Sequence, residues 1–247
     1  LVKKEGREME VRRSFETQLN SLQDNLVEMG NFVRRMLQKA MKALVEQDVV
    51  LAEEVVADDD VADAMDINIE TKCMRLIALQ QPMASDLRVI GTALKAIADL
   101  ERIGDYSVDI AKTAIRLSGE KYFKPLEIIS QMAKMVDTMI EEALKAFVER
   151  DLELARKVCE EDDEIDHLYK NLFDELLDYM RKDPNLIYQA TYFLFVARYL
   201  ERCADHIVNV AERVHYMVTG QLLQLAPSHR STVEENEYKG EAGNHKG

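Results

Sequence analysis

The sequence predicts an all-α protein made of two tandem, sequence-related three-helix bundles, six long helices in all. Three observations carry that expectation. Gly (9) and Pro (4) are scarce, Trp is absent and charged residues reach 32%, a composition suited to long helices. Apolar residues recur at helical spacing through most of the chain. The chain also repeats itself. Met41-Lys-Ala-Leu-Val-Glu-Gln-Asp48 returns as Leu144-Lys-Ala-Phe-Val-Glu-Arg-Asp151, and Asp58–Asp63 returns as Glu161–Asp166, both 103 positions later. Leu100–Ala111 returns as Leu200–Ala211 at a spacing of 100. A repeat of this length, three helices each, implies two fused bundles.

The elements follow in order. Residues 1–13 form an N-terminal extension dense in charge, without the apolar run of a signal peptide. Ser14–Gln47 is one amphipathic helix carrying Leu19, Leu22, Leu26, Met29, Val33, Met36, Leu37, Ala40 and Leu44. Asp48 caps a second helix that Pro82 ends, and Ser85 or Asp86 caps a third that stops at Ser118-Gly119. The first bundle is therefore 14–119, with a linker at 120–125. Leu126–Arg150, Asp151–Arg181 and Pro184–Gly220 supply the second bundle, 126–220, with Pro184 suited to a first helical turn. Residues 221–247 turn polar and read as a disordered tail.

The formal net charge of −14 argues against nucleic acid as a partner and suits cations or a basic protein patch. Three scattered cysteines fit core positions in a reducing cytoplasm. The longest uncharged stretch, Pro184–Ala197, is too short to enter and span a bilayer. No Gly-rich phosphate loop, nucleophile elbow or H-E-x-x-H is present, which lowers the expectation of an enzyme.

The chemistry lies in the repeated acids. Glu101, Asp105 and Asp109 lie at i, i+4 and i+8 on one helical face, as do Glu201, Asp205 and Asn209. On a helical wheel Leu87, Ile90, Leu94, Ile97, Ala98 and Val108 surround Glu101, which places the acids in the apolar stripe. Asp63 and Asp166 on the preceding helices have the same placement, with Asp59 and Asp162 one turn earlier at its edge. Carboxylates aimed at a core cost several kcal/mol each unless neutralised. A metal site in each bundle answers that cost, since oxygen donors favour Mg, Ca, Mn or Fe and accept Zn, and carboxylates can bridge several ions. Ion pairing with Arg102, Arg202 and Arg198 answers it as well. Glu212 and His215 form an E-x-x-H pair of the kind ferritin-like di-iron proteins use, but the first half has Lys112 and Ile115 there. A histidine near a helix C-terminus explains His215 without metal.

The duplicated Leu-Glu-Arg-x-x-Asp motif, the preceding Asp86-Leu-Arg and the Asp-x-x-x-Asp on each second helix resemble the PhoU family across residues 14–220. The resemblance implies iron or zinc clusters at the E-x-x-x-D surfaces, with Glu101 and Asp105 ligands in one bundle and Glu201 and Asp205 in the other. Asp109 and Asn209 follow at the next turn, and a neutral Asn weakens the second site. The resemblance also implies a non-enzymatic cytoplasmic adaptor, expected as a homodimer. Its partners would be the ATPase subunit of a phosphate ABC transporter and a phosphate sensor histidine kinase. In that role it restrains uptake and starvation signalling. A carboxylate-bridged di-iron enzyme is the alternative. Three-helix bundles leave little room for internal clusters, so the acid stripe can equally be an apolar-flanked surface patch.

Overall fold

The computed structural model describes residues 2–226, with side chains from Arg12 onward. Six helices follow one another: α1 Val2–Glu46, α2 Val49–Gln80, α3 Ala84–Arg116, α4 Glu127–Glu149, α5 Leu152–Lys182 and α6 Ile187–Thr219, the last preceded by a 3-10 turn at Pro184–Leu186. Among the described residues there is no strand, and no helix is long and apolar enough to cross a membrane.

The helix ends follow local chemistry. Asp48 caps α2 by accepting from Leu51 N–H, and Asp151 caps α5 by accepting from the N–H groups of Glu153 and Leu154. Gln81, left-handed at φ 45°, closes α2 before Pro82, and Gly220 at φ 77° closes α6. Three boundaries differ from the sequence reading. Helix α1 starts at Val2, so residues 2–13 continue the first helix ahead of its apolar pattern. Met83, not Ser85 or Asp86, occupies the N-cap of α3, without a side-chain hydrogen bond. The segment 221–226 also packs down. Leu225 N–H donates to Glu212 Oε1 (2.7 Å), and Ala226 is buried. Leu225 and Ala226 are apolar enough to return to the core; the remainder of the expected tail, 227–247, lies outside the described residues.

Helices α1–α3 pack into one bundle and α4–α6 into the other, and the bundles meet through α3 against α6 and α1 against α4. Both crossings are antiparallel. On the α3–α6 seam Tyr106 stacks on Tyr199 (5.8 Å between centroids), while Asp99 Oδ1 meets His206 Nδ1 (2.9 Å). Those contacts are each other's counterparts in the repeat, as a near-twofold axis requires. Arg34 and Asp137 are equivalent positions of the two halves, and they pair with each other on that axis. Arg34 Nε and Nη2 donate to the Asp137 carboxylate (2.7 and 3.0 Å), and Nη2 also reaches Glu141 (2.6 Å). Close approach of α1 and α4 needs Gly30, where an added Cβ would lie 2.5 Å from Leu144 Cδ2.

The linker is held by both bundles. Gln47 Nε2 donates to the carbonyls of Leu117 (3.0 Å) and Glu120 (2.8 Å), and Phe123 N–H donates to Gln189 Oε1 (2.9 Å). Tyr122 OH donates to Leu44 O (2.8 Å). Cys73, Cys159 and Cys203 are buried core residues, and burial pushes the thiols of Cys73 and Cys159 up to about 12.

Because Arg34–Asp137 is bidentate and only partly exposed, Asp137→Ala is expected to lower stability by about 1–2 kcal/mol. Urea denaturation of the full chain reads this out as a lower midpoint at unchanged slope.

Candidate functional site

In the first half the motif acids lie at the rim of the core, a correction to the central placement that the wheel suggests, whereas Glu201 of the second half is buried. On α3 the buried arc runs through Val89, Ala93, Ala96, Leu100, Gly104, Ser107 and Ala111, centred roughly a quarter turn from Glu101. Leu87 is 45% exposed and Ala98 is exposed. On α2 the buried residues are Ala52, Val55, Ala62, Ile69, Cys73 and Leu76, while Ile67 and Met74, which flank Asp63, are more than half exposed. The physical reason is that the buried face of α3 includes Ala93, Ala96, Gly104, Ser107 and Ala111, which carry little hydropathy and so weigh little on a wheel. Gly104 lies at the meeting point of α1, α2 and α3, where an added Cβ would make ordinary contact with Val33 (3.6 Å) and Ala62 (3.8 Å).

In the first half, antiparallel α2 and α3 gather the acids along their shared groove. Glu101, Asp105 and Asp109 are half-buried, Asp59 and Asp66 likewise, and Asp63 is exposed. Burial raises the Glu101 carboxyl, and Asp105, Asp63 and Asp66 raise it further by repulsion while Arg102 opposes. Asp59 is raised by burial and then by Asp63 and Asp105, and Asp109 by burial, against the pull of Lys112. Arg102 Nη1 donates to Asp105 Oδ2 (2.9 Å). Asp66 belongs to this group but was not among the sequence candidates. Its spacing from Asp59 and Asp63 was the available signal.

The second half has a different balance. Glu201 and Asp162 are buried and Asp166 and Asp205 half-buried. The Arg198 guanidinium contacts Glu201 Oε1 and lies 5.8 Å above the Tyr169 ring. Arg202 Nη1 donates to Asp205 Oδ2 (3.1 Å), and its Nε stands 3.8 Å from Glu201 Oε2. Asn209 does not join the cluster: its amide donates across the seam to Asp99 Oδ1 (3.0 Å). Glu212 holds Leu225, and His215 Nδ1 sits 3.3 Å from Gln221 O, so the E-x-x-H pair fastens the segment after α6.

Among the described residues no three His, Cys, Asp or Glu side chains stand close enough, as placed, to hold a metal ion. By donor chemistry the first half fits a hard cation, since its carboxylates repel one another along an open groove. The second half fits one less well, because the Arg198 guanidinium already occupies Glu201; the Arg102–Asp105 and Arg202–Asp205 pairs are common to both halves.

The model of the PhoU domain matches residues 26–114 and again 129–214, one match to each bundle. The chain belongs to the PhoU family. A "phosphate-specific transport system accessory protein PhoU homolog" from Clostridium acetobutylicum is 45% identical over 215 residues, 87% of this chain and 98% of that protein. One of the same description from Aquifex aeolicus is 40% identical over 207 residues, covering 84% and 94%. The crystal structure of PhoU from Pseudomonas aeruginosa superposes with a TM-score of 0.81 at 36% identity, covering 84% of this chain and all (100%) of that one. The phosphate transport system regulatory protein PhoU from Streptococcus pneumoniae gives 0.78 at 32%, covering 85% and 99%. In this PhoU chain, then, the repeat read from sequence is the pair of PhoU domains, and the acid groove lies between the second and third helices of each.

Burial, then Asp205, pushes Glu201 up to about 7 from 4.5. A folded-state value above the unfolded one means the native protein holds a proton that the unfolded chain has already lost. Stability from this group is therefore full below about 4.5 and is lost as pH rises through about 7. The ceiling is about 3 kcal/mol. Glu201→Gln is expected to flatten stability between about pH 5 and 8, measured by urea midpoints, leaving a shallower slope from Glu101, Asp59 and Asp109.

Proposed function

We propose that this chain is a non-enzymatic regulatory accessory protein of a phosphate transport system, acting in the cytoplasm through a metal-bearing helical face. Its partners in this reading are the ATPase subunit of a phosphate ABC transporter and a phosphate sensor histidine kinase. Contact restrains uptake and starvation signalling when phosphate is plentiful. The relatives named as accessory or regulatory proteins of phosphate transport support the phosphate-transport setting.

The observation that carries the contact reading is the α2–α3 groove of the first bundle. Half-buried carboxylates line it, exposed Ile67 stands one turn from Asp63, and exposed Met74 and Leu87 lie farther along the same two helices. Mutually repelling acids, only partly offset by Arg102 and Lys112, suit a cation and then a protein surface better than they suit bare solvent. Glu101, Asp105, Asp63 and Asp59 would hold the ion, iron or zinc, with Asp109 at the next turn. The ion's contribution is charge neutralisation, which lets the face approach another protein. Regulation is then a shift in the partner's state populations, set by differential binding. A homodimer belongs to the same proposal; exposed Tyr188 and Phe195 on α6 give a second copy an apolar contact. The di-iron enzyme has less support, since Glu212 and His215 are engaged with Leu225 and Gln221.

The test uses a strain lacking this chain. Wild type is expected to restore repression of phosphate uptake in rich phosphate and to co-purify with the transporter ATPase and the kinase. Glu101→Ala with Asp105→Ala is expected to lose metal and at least several-fold of that repression. Full repression by a metal-free double variant refutes the metal part. Absence of both partners and unchanged uptake in the deletion strain refute the regulatory part.

A further inference from the structure

Within the motif helices the two halves differ in charge at one pair of equivalent positions beside the first acid. Residue 98 of the first motif helix is Ala, exposed beside Glu101; residue 198 of the second is Arg. The Arg198 side chain folds one turn along α6 and places its guanidinium on Glu201 Oε1, with the Tyr169 ring of α5 5.8 Å away on its other side. The carboxylate it meets is nine-tenths buried, with its side chain 10% exposed. The other oxygen, Oε2, has no hydrogen bond and lies between this contact and Arg202 Nε at 3.8 Å. A divalent ion would need those same lone pairs, and it would have to displace or lie against a fixed positive charge. In the first bundle nothing equivalent reaches Glu101 from position 98, because a methyl group stands there. Its neighbour Arg102 lies on the outer side, Nε 3.6 Å from Glu101 Oε2, and is 58% exposed. The third rung reinforces the difference, since Asn209 is turned to Asp99 across the seam.

We propose that Arg198 is a built-in counter-ion that takes the place of the metal in the second bundle, so that the chain carries one metal-binding face, on α2 and α3, and one metal-free face on α5 and α6. The inference rests on the reading that the first face binds metal, and goes beyond it by assigning what closes the second. The Arg198 position then sets metal occupancy: a small residue opens a bundle to the ion and an arginine shuts it. The guanidinium also gives Glu201 a partner without an ion, so the second bundle is formed at any metal level while the first responds to it.

The test is equilibrium dialysis of tag-free full-length protein against zinc(II), with metal per chain measured by mass spectrometry and folding checked by circular dichroism. In wild type, Glu101→Ala with Asp105→Ala is expected to remove the bound zinc, and Glu201→Gln with Asp205→Asn to leave it unchanged. Arg198→Ala is expected to roughly double zinc per chain, and adding Glu201→Gln and Asp205→Asn to that variant to return it to the wild-type value. Arg198→Lys, which keeps a charge, is expected to gain nothing. The reciprocal change, Ala98→Arg, falls on an exposed position and is expected to close the first face. Wild-type zinc that falls by half in Glu201→Gln with Asp205→Asn overturns the inference while leaving the metal reading intact. So does folded Arg198→Ala that gains no zinc over a zinc-binding wild type. No zinc in wild type or in Arg198→Ala overturns both.

Discussion

The packing of the two motif helices against each other is the constraint on which the rest of the structure depends. Helices α3 and α6 each serve two masters: the core of their own bundle and the seam between bundles. A helix buried on so wide an arc has only one remaining flank for charge, and the repeated acids lie along it. The seam also sets which residues can be small. Gly104 and its counterpart Ala204 are both buried small residues within the motif, so the same few residues carry helix packing and carboxylate placement. Reciprocal contacts across the seam, Tyr106 with Tyr199 and Asp99 with His206, fix the halves in one register.

Within that near-symmetric frame the charges have diverged while the geometry has stayed. Lys39 on α1 bridges Asp58 and Glu54 of α2, at 2.9 and 3.7 Å. At the equivalent place in the second bundle the signs exchange: Lys157 on α5 bridges Glu142 of α4 and Glu161 of its own helix. The axis pair shows the same divergence, with Arg34 facing Asp137 where an identical pair would have placed like beside like. Against this background the contrast between Ala98 and Arg198 changes the chemistry of a groove without altering its walls. Electrostatics, more than shape, separates the two bundles.

The architecture was legible in the sequence because helix periodicity, caps and the repeat are local signals. Asp48, Asp151, Pro82 and Gly220 mark helix ends by their own side-chain and backbone chemistry. The gathering of the first half's acids was legible too, for Glu101, Asp105, Asp109, Asp59 and Asp63 sit at helical spacing on facing flanks. Their depth was not. Ile67, Met74 and Leu87 drew the apparent centre of the stripe toward the acids, although these side chains face solvent. The buried face also includes Ala93, Ala96, Gly104 and Ser107, whose low hydropathy hides them on a wheel beside the equally buried Leu100, Ile103 and Ile110. The destination of Asn209 was equally hidden, since its partner Asp99 lies on the other bundle. Nor does polar composition reveal that Gln221–Ala226 turns back to α6, a contact that depends on Glu212 being in place.

The proposed cation face is the carboxylate groove of the first bundle, set on a scaffold that holds it half-buried and ready for contact. Anomalous X-ray diffraction from crystals of the full chain grown with zinc or iron, recorded on both sides of the metal edge, tests it most directly. The account predicts an anomalous peak between α2 and α3, within bonding distance of Glu101 and Asp105. A metal-loaded crystal with no peak in that groove, or with its metal bound elsewhere on the chain, would contradict it.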